Sequence, residues 1–442
     1  MSENPYQSLL LNIADHFVEN IPTHDTSEQY RNITTLIRIH NDKLAKLGEC
    51  SFSCKPEIWS KYFPASEGYQ IVEHAFELLN ETSEENRQDL LNEAKAWNFP
   101  VAKLEIEQER CHLHLQRSCI MKSLIQQVLC STNMFGNMRK TQKRFVRLKP
   151  LQEYGLSYQD ISFYRAQIVH QTLRRLLVLS QWPIVDDLAD CHPVMDINVL
   201  SVASKVSQEF APDVSVTIKC GLVTDPLRKG RVCQLPTEEY LSLRSNNMCL
   251  MALHKYGVRV KQDARFCALM KRLGSAAVTV DLLEVRNSSP VQIIRNGQGS
   301  TKGASFILYN SARLESLLRT FEERIDRRIY DPVPEINDID YSLLKEEEEW
   351  QMAFAYLAGF PDLIDRCLEQ LDRGLCATHL IIRFLNGLVA VFSVYYRRVR
   401  ILTEKREQLM PYVYSRILLI RAVREILNKT LSLLDIEPVE FM

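Results

Sequence analysis

The sequence predicts a chain of mixed class in three parts: an α+β amino-terminal region, an α/β middle region and an all-α carboxy-terminal region. Three observations support this prediction. The first third mixes helical and strand-like patterns, the middle alternates strand-like with helical runs, and roughly the last sixty residues contain long helical patterns. A length of 442 residues accommodates roughly two to four domains, and we place the boundaries at 1–137, 138–273 and 274–442.

The amino-terminal region places helix and strand signals close together. Apolar residues within 33–47 have helical spacing, whereas the apolar residues of 111–115 alternate with His112 and His114 as in a half-buried strand. Histidines two apart on a strand point to the same side and can share a metal ion with Cys111 nearby. No further ligand cluster is visible in this region, so we predict surface histidines and no metal site.

The middle region is predicted to form an α/β layer. Strand-like runs at 145–148, 195–202 and 214–218 alternate with a helical run at 162–179. Such alternation is typical of helices packed on a sheet.

Two amphipathic helices are predicted near the carboxyl end. Apolar residues recur at alternating spacings of four and three through 381–399, which places them on one face of a helix, and the same period continues through 413–434. Tyr395 lies on the apolar face and is predicted to be core, whereas Tyr396 flanks that face. Taken singly, each helix would be interpreted as part of an ordinary helical bundle.

Basic residues concentrate on these same helices. Between Ile381 and Thr430 there are ten Lys or Arg and three Asp or Glu, a local net charge of +7 in a chain whose overall net charge is −1. A cationic helical face is the electrostatic footprint expected for phosphate. The residues that we predict to contact phosphates, or to stack on an unpaired base, are Arg397, Arg398, Arg400, Arg416, Arg421, Arg424 and Tyr396.

A second basic stretch lies at 138–155, where Phe145 and Tyr154 are interleaved with the cations. Its first four basic residues are Arg139, Lys140, Lys143 and Arg144. Such a run can neutralise phosphates while an aromatic ring stacks on a base. It can equally be a solvated linker between domains. The basic carboxy-terminal helices favour RNA contact, and we include these four residues among the candidates.

Composition and motifs argue against several classes of protein. The amino terminus has no cationic segment leading into an apolar run, and no stretch is expected to span a membrane. Twelve cysteines without Cys-x-x-Cys pairs indicate reduced thiols, so we expect a cytoplasmic protein. No nucleophile elbow or paired-histidine metal helix is present, and we predict no catalytic residues and no cofactor. The acidic run Glu346 to Glu349 is expected to form a solvated patch.

The amino-acid sequences of four segments resemble the end of an arginyl-tRNA synthetase. They are 306–318, 392–402, 416–427 and 431–442, and they keep the order of that family's anticodon-binding, DALR-type domain. The resemblance covers roughly 274–442 and implies that the middle region is a class I, Rossmann-type α/β domain. It also implies that the carboxy-terminal helices form an anticodon-binding bundle.

The catalytic signatures of that family are missing. Asp160 and Phe163 stand where its His-x-Gly-His motif would place imidazoles, and neither side chain can donate a hydrogen bond to phosphate at neutral pH. The nearest relative of Lys-Met-Ser-Lys-Ser is at 300–303, too late in the chain for the catalytic loop. The Asp-Ala-Leu-Arg tetrad is reduced to Ala-Ala-Val-Thr at 276–279, which removes the charged junction between domains. We therefore expect a degenerate synthetase fold without ligase activity.

The arrangement is similar to that of the DALR anticodon-binding domain-containing protein 3 group. The resemblance implies binding of particular arginine tRNAs and their delivery to a methyltransferase-like protein 2 type enzyme, which makes 3-methylcytidine in the anticodon loop. Two alternatives remain open at this point. One is a diverged, active arginine-tRNA ligase, and the other is a purely structural scaffold. In all three interpretations we expect no membrane and no metal as partners.

Overall fold

The computed structural model describes most of the chain, in two compact units that are each discontinuous in sequence. The described residues are 4–21, 27–77, 84–130, 135, 145–151, 159–180, 182, 184–185, 194–202, 215–228, 230–256, 264–295 and 303–439. The first unit comprises Met1–Gly136, Arg327–Asp362 and Val394–Val423, and the second comprises Asn137–Asp326, Leu363–Ser393 and Arg424–Met442. The candidates Arg139, Lys140, Lys143 and Arg144 lie outside the described residues. The boundaries placed at 137 and 273 stay predictions.

The amino-terminal region is α+β, as predicted, and belongs to the first unit. A four-stranded antiparallel sheet has the order β2-β3-β6-β5, and a second pairing joins β1 to β4. Its elements are α1 (Pro5–Phe17), β1 (Val18–Glu19), α2 (Ser27–Leu36), β2 (Ile37–Ile39), α3 (Leu44–Leu47), β3 (Cys50–Ser53), α4 (Pro56–Ser60), β4 (Gln70–Ile71), α5 (Glu73–Phe76), α6 (Glu84–Ala94), β5 (Val101–Glu107), β6 (Arg110–Leu115) and α7 (Arg117–Cys130).

Strand β6 is buried on both faces, which corrects the half-buried strand predicted from its alternation. His112 and His114 are 8% and 5% exposed, so neither is a surface histidine. The ring of His112 is 2.8 Å from the carbonyl oxygen of Leu47 in α3, and the ring of His114 is 3.0 Å from a carboxylate oxygen of Glu105. Alternation could not reveal this, because the second covering layer comes from other elements. Among the described residues, no group of His, Cys, Asp and Glu is arranged to hold a metal ion.

The middle region contains the predicted α/β layer, in the second unit. Strands β7, β8 and β9 form a parallel sheet in that order, and α8 lies in the crossover between β7 and β8. A mixed sheet of order β11-β10-β12 follows. The elements of this region are β7 (Phe145–Leu148), α8 (Ile161–Leu179), β8 (Val194–Ser201), β9 (Ser215–Cys220), β10 (Val223–Asp225), β11 (Arg231–Val232), α9 (Thr237–Tyr256), α10 (Ala264–Leu283) and β12 (Val291–Gln292).

A fully buried arginine fastens this α/β layer. Arg165 on α8 is 0% exposed and donates hydrogen bonds to the carbonyl oxygens of Leu282, Gly221, Ser289 and Arg286, at 2.7–3.2 Å. Burial lowers the pKa of Arg165, and the four carbonyl dipoles replace water around the guanidinium. One side chain therefore satisfies backbone acceptors from two parts of the sequence, at 221 and at 282–289.

The helix α10 contains the segment Ala-Ala-Val-Thr at 276–279, and a charged contact lies just after it. The segment 276–279 is buried within α10, and two residues later Asp281 is also buried. The guanidinium of Arg244 on α9 lies 2.9 Å from the carboxylate of Asp281, and the hydroxyl of Tyr240 donates to that carboxylate at 2.9 Å. Burial raises the pKa of Asp281 to about 6. A polar junction therefore joins α9 to α10 close to this segment.

From Ala304 onward the carboxy-terminal region is helical, as predicted, and the short strand β12 precedes these helices. Its helices are α11 (Ala304–Asp326), α12 (Glu347–Gln351), α13 (Gly359–Leu368), α14 (His379–Arg398) and α15 (Met410–Leu433), and a π-helical turn, Met352–Ala358, joins α12 to α13. The predicted apolar stripes of α14 and α15 are buried, including Ile381, Leu385 and Phe392 on α14. Tyr395 is 0% exposed and Tyr396 is 38% exposed, which confirms the assignment of core and flank.

The length of α14 corrects one expectation from the sequence. Among the described residues it is the helix that is long and apolar enough to cross a bilayer, although no stretch of that length was expected. Half of its most apolar window is buried inside the protein. A core helix with apolar residues on more than one side meets the same criterion.

A buried histidine in the amino-terminal sheet region predicts a dependence of stability on pH. The ring of His40 is 6% exposed and lies 2.9 Å from the hydroxyl of Ser51. Burial, followed by the charges of Arg38, His112 and Arg110, lowers the pKa of His40 from 6.5 to about 4. The folded protein therefore keeps His40 neutral at a pH where the unfolded chain takes up a proton.

We expect the free energy of unfolding to fall as the pH is lowered from 6.5 to 4, because proton uptake by His40 favours the unfolded chain. The variant His40→Gln should show a shallower fall, by at most about 1.4 kcal/mol per pH unit. Urea unfolding across this pH range measures the slope. The exposed His74→Gln is the matched control, and an equal change of slope in both variants would contradict the prediction.

Candidate nucleic-acid interface

A buried carboxylate lies where α12, α14 and α15 meet in the first unit. Glu349 is 0% exposed. One of its oxygens accepts hydrogen bonds from the hydroxyl of Tyr395 at 2.7 Å and from Nε of Arg416 at 3.0 Å. The other oxygen accepts the backbone N–H of Glu346 at 2.9 Å, as part of a capping box. The prediction of a solvated acidic patch is therefore wrong for Glu349, whose two side-chain partners lie 46 and 67 residues away in sequence.

A second buried carboxylate extends this cluster into the amino-terminal sheet. Glu49 is 0% exposed, accepts the indole N–H of Trp350 at 2.6 Å and the backbone N–H of Leu115 at 2.6 Å, and pairs with Arg117 at 3.0 Å. Burial raises the pKa of Glu49, while its hydrogen bonds and Arg117 oppose that rise. Trp350 and Glu349 are neighbours in α12. Glu49 therefore ties α12 to the amino-terminal sheet, and Glu349 ties it to α14 and α15.

Arg416, one of the predicted phosphate contacts, is engaged by this cluster. Its side chain is 15% exposed, and its guanidinium lies 3.0 Å from Glu349 and 5.8 Å from the ring centre of Tyr412. A guanidinium and the buried carboxylate beside it form a pair without net charge, so the pair attracts an RNA phosphate only weakly. The geometry favours a positioning role for Arg416 over the phosphate contact that the sequence suggested.

Arg398 is also paired, but at the surface. Its Nε lies 3.0 Å from one oxygen of Glu348 and its Nη2 lies 2.6 Å from the other, a bidentate contact, and Nη2 also bonds Glu346. These hydrogen bonds raise the pKa of Arg398. Two carboxylates around one guanidinium leave a locally negative surface, so Arg398 is a weaker candidate for phosphate than its neighbours.

Arg397 and Arg400 are exposed cations at the carboxyl end of α14, beside the exposed ring of Tyr396. Two further cations follow in the connection to α15, but Lys405 pairs with Asp331 at 2.9 Å and Arg406 with Glu404 at 3.0 Å. Arg397, Arg400 and Tyr396 are thus brought together in the first unit.

The remaining two predicted arginines differ in their surroundings. Arg421 is half-buried on α15 in the first unit. Arg424, in the second unit, is also half-buried and lies 3.0 Å from Glu425 and 3.8 Å from Glu315. Carboxylates close to Arg424 reduce its attraction for phosphate.

Two arginines that the sequence analysis did not single out join the surface of the first unit. Arg327 and Arg328 are exposed and directly follow α11, and Arg328 has a left-handed backbone, with φ of 57°. The next residues fix this segment, because the hydroxyl of Tyr330 donates to the carbonyl oxygen of Thr403 between α14 and α15. The signal in the sequence was the pair of adjacent arginines before a proline-rich connection.

A side chain of the protein itself caps the backbone N–H groups at the amino-terminal end of α8. The carboxylate of Asp160 accepts the backbone N–H of Ser162 at 2.6 Å and that of Phe163 at 3.4 Å, and Phe163 is 2% exposed. The N–H groups that could receive a phosphate at this helix end are therefore capped by a negative charge. Residues 300–302, the nearest relative of the second synthetase signature, lie outside the described residues.

Comparison with known families identifies the helical region. The family model described as "DALR anticodon binding domain" matches residues 307–442. This part of the chain is similar to the DALR anticodon binding domain. The exposed arginines of α14 and the buried Glu349 cluster both lie within the matched residues.

The similarity to known proteins extends beyond the residues that the family model matches. The chain is 32% identical to DALR anticodon-binding domain-containing protein 3 of Danio rerio, over 50% of this chain and 40% of that protein. The corresponding protein of Mus musculus is 27% identical, over 58% of this chain and 48% of that protein. Arginine–tRNA ligase of Desulforamulus reducens is 33% identical, over 31% and 22%. The matched segment covers less than half of each of these relatives.

A solved structure shares the overall fold. Arginyl-tRNA synthetase of Plasmodium falciparum superposes with a TM-score of 0.59 over 94% of this chain and 98% of that chain, at 10% sequence identity. The chain is therefore related to arginyl-tRNA synthetases in fold, with a mixed α/β body and a helical region that carries the DALR domain.

The paired and exposed arginines are expected to differ in their effect on stability. Arg416→Met removes a partner of the buried Glu349 and should lower the free energy of unfolding by about 3 kcal/mol. Arg400→Met, at an exposed position on the same surface, should change it by less than about 0.5 kcal/mol. Urea unfolding of both variants measures this difference. Equal losses would contradict the positioning role of Arg416.

Proposed function

We propose that the protein is a non-catalytic tRNA-binding adaptor that recognises particular arginine tRNAs through its DALR domain. The observation that carries the proposal is the exposure of Tyr396, Arg397 and Arg400 within five residues of the chain at the carboxyl end of α14, and the first unit exposes Arg327 and Arg328 as well. Cations and an aromatic ring at one surface match an RNA loop, which presents phosphates together with unstacked bases.

We assign a role to each side chain from its surroundings. Exposed arginines contact phosphates and set the register of the RNA, whereas Tyr396 stacks on an unpaired base. Arg416 and Arg398 hold the supporting helices in place through their carboxylate partners. Arg421 and Arg424 are secondary candidates, and the basic residues at 139–144 are proposed as a further contact.

A non-catalytic role is supported by the helix end where the synthetase family binds phosphate. Asp160 caps α8 there and would repel the phosphates of ATP, and Phe163 is buried. The alternative, a diverged arginine-tRNA ligase, requires donors to phosphate at these positions, and neither residue supplies one.

The proposal includes a partner. By resemblance to the DALR anticodon-binding domain-containing protein 3 group, the adaptor presents its arginine tRNAs to a methyltransferase-like protein 2 type enzyme for 3-methylcytidine formation in the anticodon loop. We propose the cytoplasm as the compartment. A purely structural scaffold would need no exposed cationic surface on the DALR domain.

Removal of the exposed arginines should weaken binding of all tRNAs alike. We expect Arg397→Ala combined with Arg400→Ala to lower the affinity for tRNA and to reduce the slope of log K against log salt by about two, one for each lost phosphate contact. Filter binding over a series of salt concentrations measures both. Arg398→Ala should change the slope by less than about one, because Glu346 and Glu348 already neutralise that guanidinium. An unchanged slope in the double variant would contradict the assignment.

The adaptor role is tested by purification from cells, with small-RNA sequencing and protein identification in the same eluate. We expect a few arginine tRNAs together with a methyltransferase, and loss of the tRNAs with the double variant. In cells lacking the protein, 3-methylcytidine in those tRNAs should fall, and only the wild-type chain should restore it. Equal recovery of tRNAs of every acceptor type would argue against recognition of particular arginine tRNAs.

A further inference from the structure

A groove of about 740 Å³ opens in the first unit, between the segment 331–343 and the beginning of α15. Its floor is apolar and largely covered, with Ile339, Met410 and Tyr414 between 6% and 8% exposed. Tyr412 is half-buried along one side. A volume of this size accommodates a few side chains of a bound chain.

The rim of the groove is acidic. Asp331, Asp338, Asp340 and Glu407 are exposed around it. Among the described residues that line the groove, Lys405 is the cation, and its ammonium already lies 2.9 Å from Asp331. The groove therefore carries a net negative charge, which repels RNA phosphate and attracts Lys and Arg side chains.

The walls are fixed by contacts within the same unit. Gln126 and Lys122 on α7 donate to the side chain and the backbone carbonyl of Asn337, at 2.6 and 3.2 Å. The hydroxyl of Tyr414 donates to the carbonyl oxygen of Asp331 at 3.1 Å. These contacts hold both sides of the groove, so a ligand meets a surface that is already formed.

Prolines determine how such a groove can bind a peptide. Pro332, Pro334 and Pro411 line it, and proline has no backbone N–H to donate. Strand addition would need a row of backbone donors and acceptors along one edge. Recognition in this groove therefore depends on side chains, namely the apolar floor and the carboxylates of the rim.

We propose that this groove docks an extended, positively charged segment of a partner protein. One large apolar side chain of that segment packs on Ile339, Met410 and Tyr414, and flanking Lys or Arg residues pair with Asp338 and Glu407. The acidic groove and the cationic RNA surface then accept different ligands in the same unit. The inference deepens the proposed function and rests on it for the identity of the partner as a tRNA-modifying enzyme, a class of protein rich in basic surface.

Charge reversal of the rim gives a direct test. Asp338→Lys combined with Glu407→Lys changes two exposed side chains and spares Asp340, whose carboxylate accepts the backbone N–H of Ser342 at 2.9 Å. Glu335→Lys is the matched control, because Glu335 is exposed in the same segment but does not line the groove. The unfolding transitions of both variants should coincide with that of the wild type.

The probes are fluorescein-labelled peptides and an RNA, measured by fluorescence anisotropy with the full chain. One peptide flanks a single leucine with arginines, a second replaces the arginines with glutamates, and a third replaces the leucine with serine. The RNA is single-stranded oligouridylate. We expect the arginine–leucine peptide to bind, the other two peptides to bind at least about tenfold more weakly, and the rim variant to lose about tenfold in affinity for the first peptide. The control should bind like the wild type.

Two results would overturn the docking inference: equal binding of the arginine–leucine peptide to the wild type and the rim variant, or a rim variant that changes RNA binding alone. The proposed function fails separately. If the wild type binds the peptide in the groove but binds no tRNA, the docking inference stands without the adaptor. Conversely, the double variant of Arg397 and Arg400 should lose tRNA and keep the peptide.

Discussion

The buried carboxylate of Glu349 is the constraint on which the candidate interface depends. A buried charge is tolerated only when its lone pairs are satisfied, and here they are satisfied by Tyr395, Arg416 and the N–H of Glu346. These partners come from α14, from α15 and from the start of α12. Loss of any partner would leave a charge in a medium that cannot solvate it, so the three elements are held to one geometry. That geometry places Arg397 and Arg400 at the surface.

Two of the arginines of this surface bond to carboxylates of the chain itself. Arg416 and Arg398 are directed at carboxylates of the chain itself, and they hold the helices and the acidic start of α12. Arg397 and Arg400 are exposed at the end of α14 and beyond it. A guanidinium paired with carboxylates contributes little to the long-range attraction of phosphate. The net charge of +7 between Ile381 and Thr430 is therefore larger than the positive charge that would attract RNA.

In the middle region, two contacts of one helix, α8, have different consequences. Arg165 satisfies four carbonyl oxygens and keeps α8 against the ends of the neighbouring elements. At the start of the same helix, Asp160 caps the N–H groups with a negative charge. The first contact holds the α/β layer together, and the second places a negative charge at N–H groups that would otherwise attract an anion, so the two effects are separated by a few residues of one helix.

The sequence by itself determined the long helices α11, α14 and α15, the existence of strands β7, β8 and β9, and the burial of Tyr395 beside the exposed Tyr396, because a repeating pattern reports which face of an element avoids water. It did not determine the cover over His112 and His114, the burial of Glu349 or the pairing of Arg398 and Arg416. Tyr395, Arg416 and Trp350 lie 46, 67 and 301 residues from the carboxylates that they bond. Only the tertiary structure brings such groups together, since the cost of burying a charge is decided by partners that the local pattern does not contain.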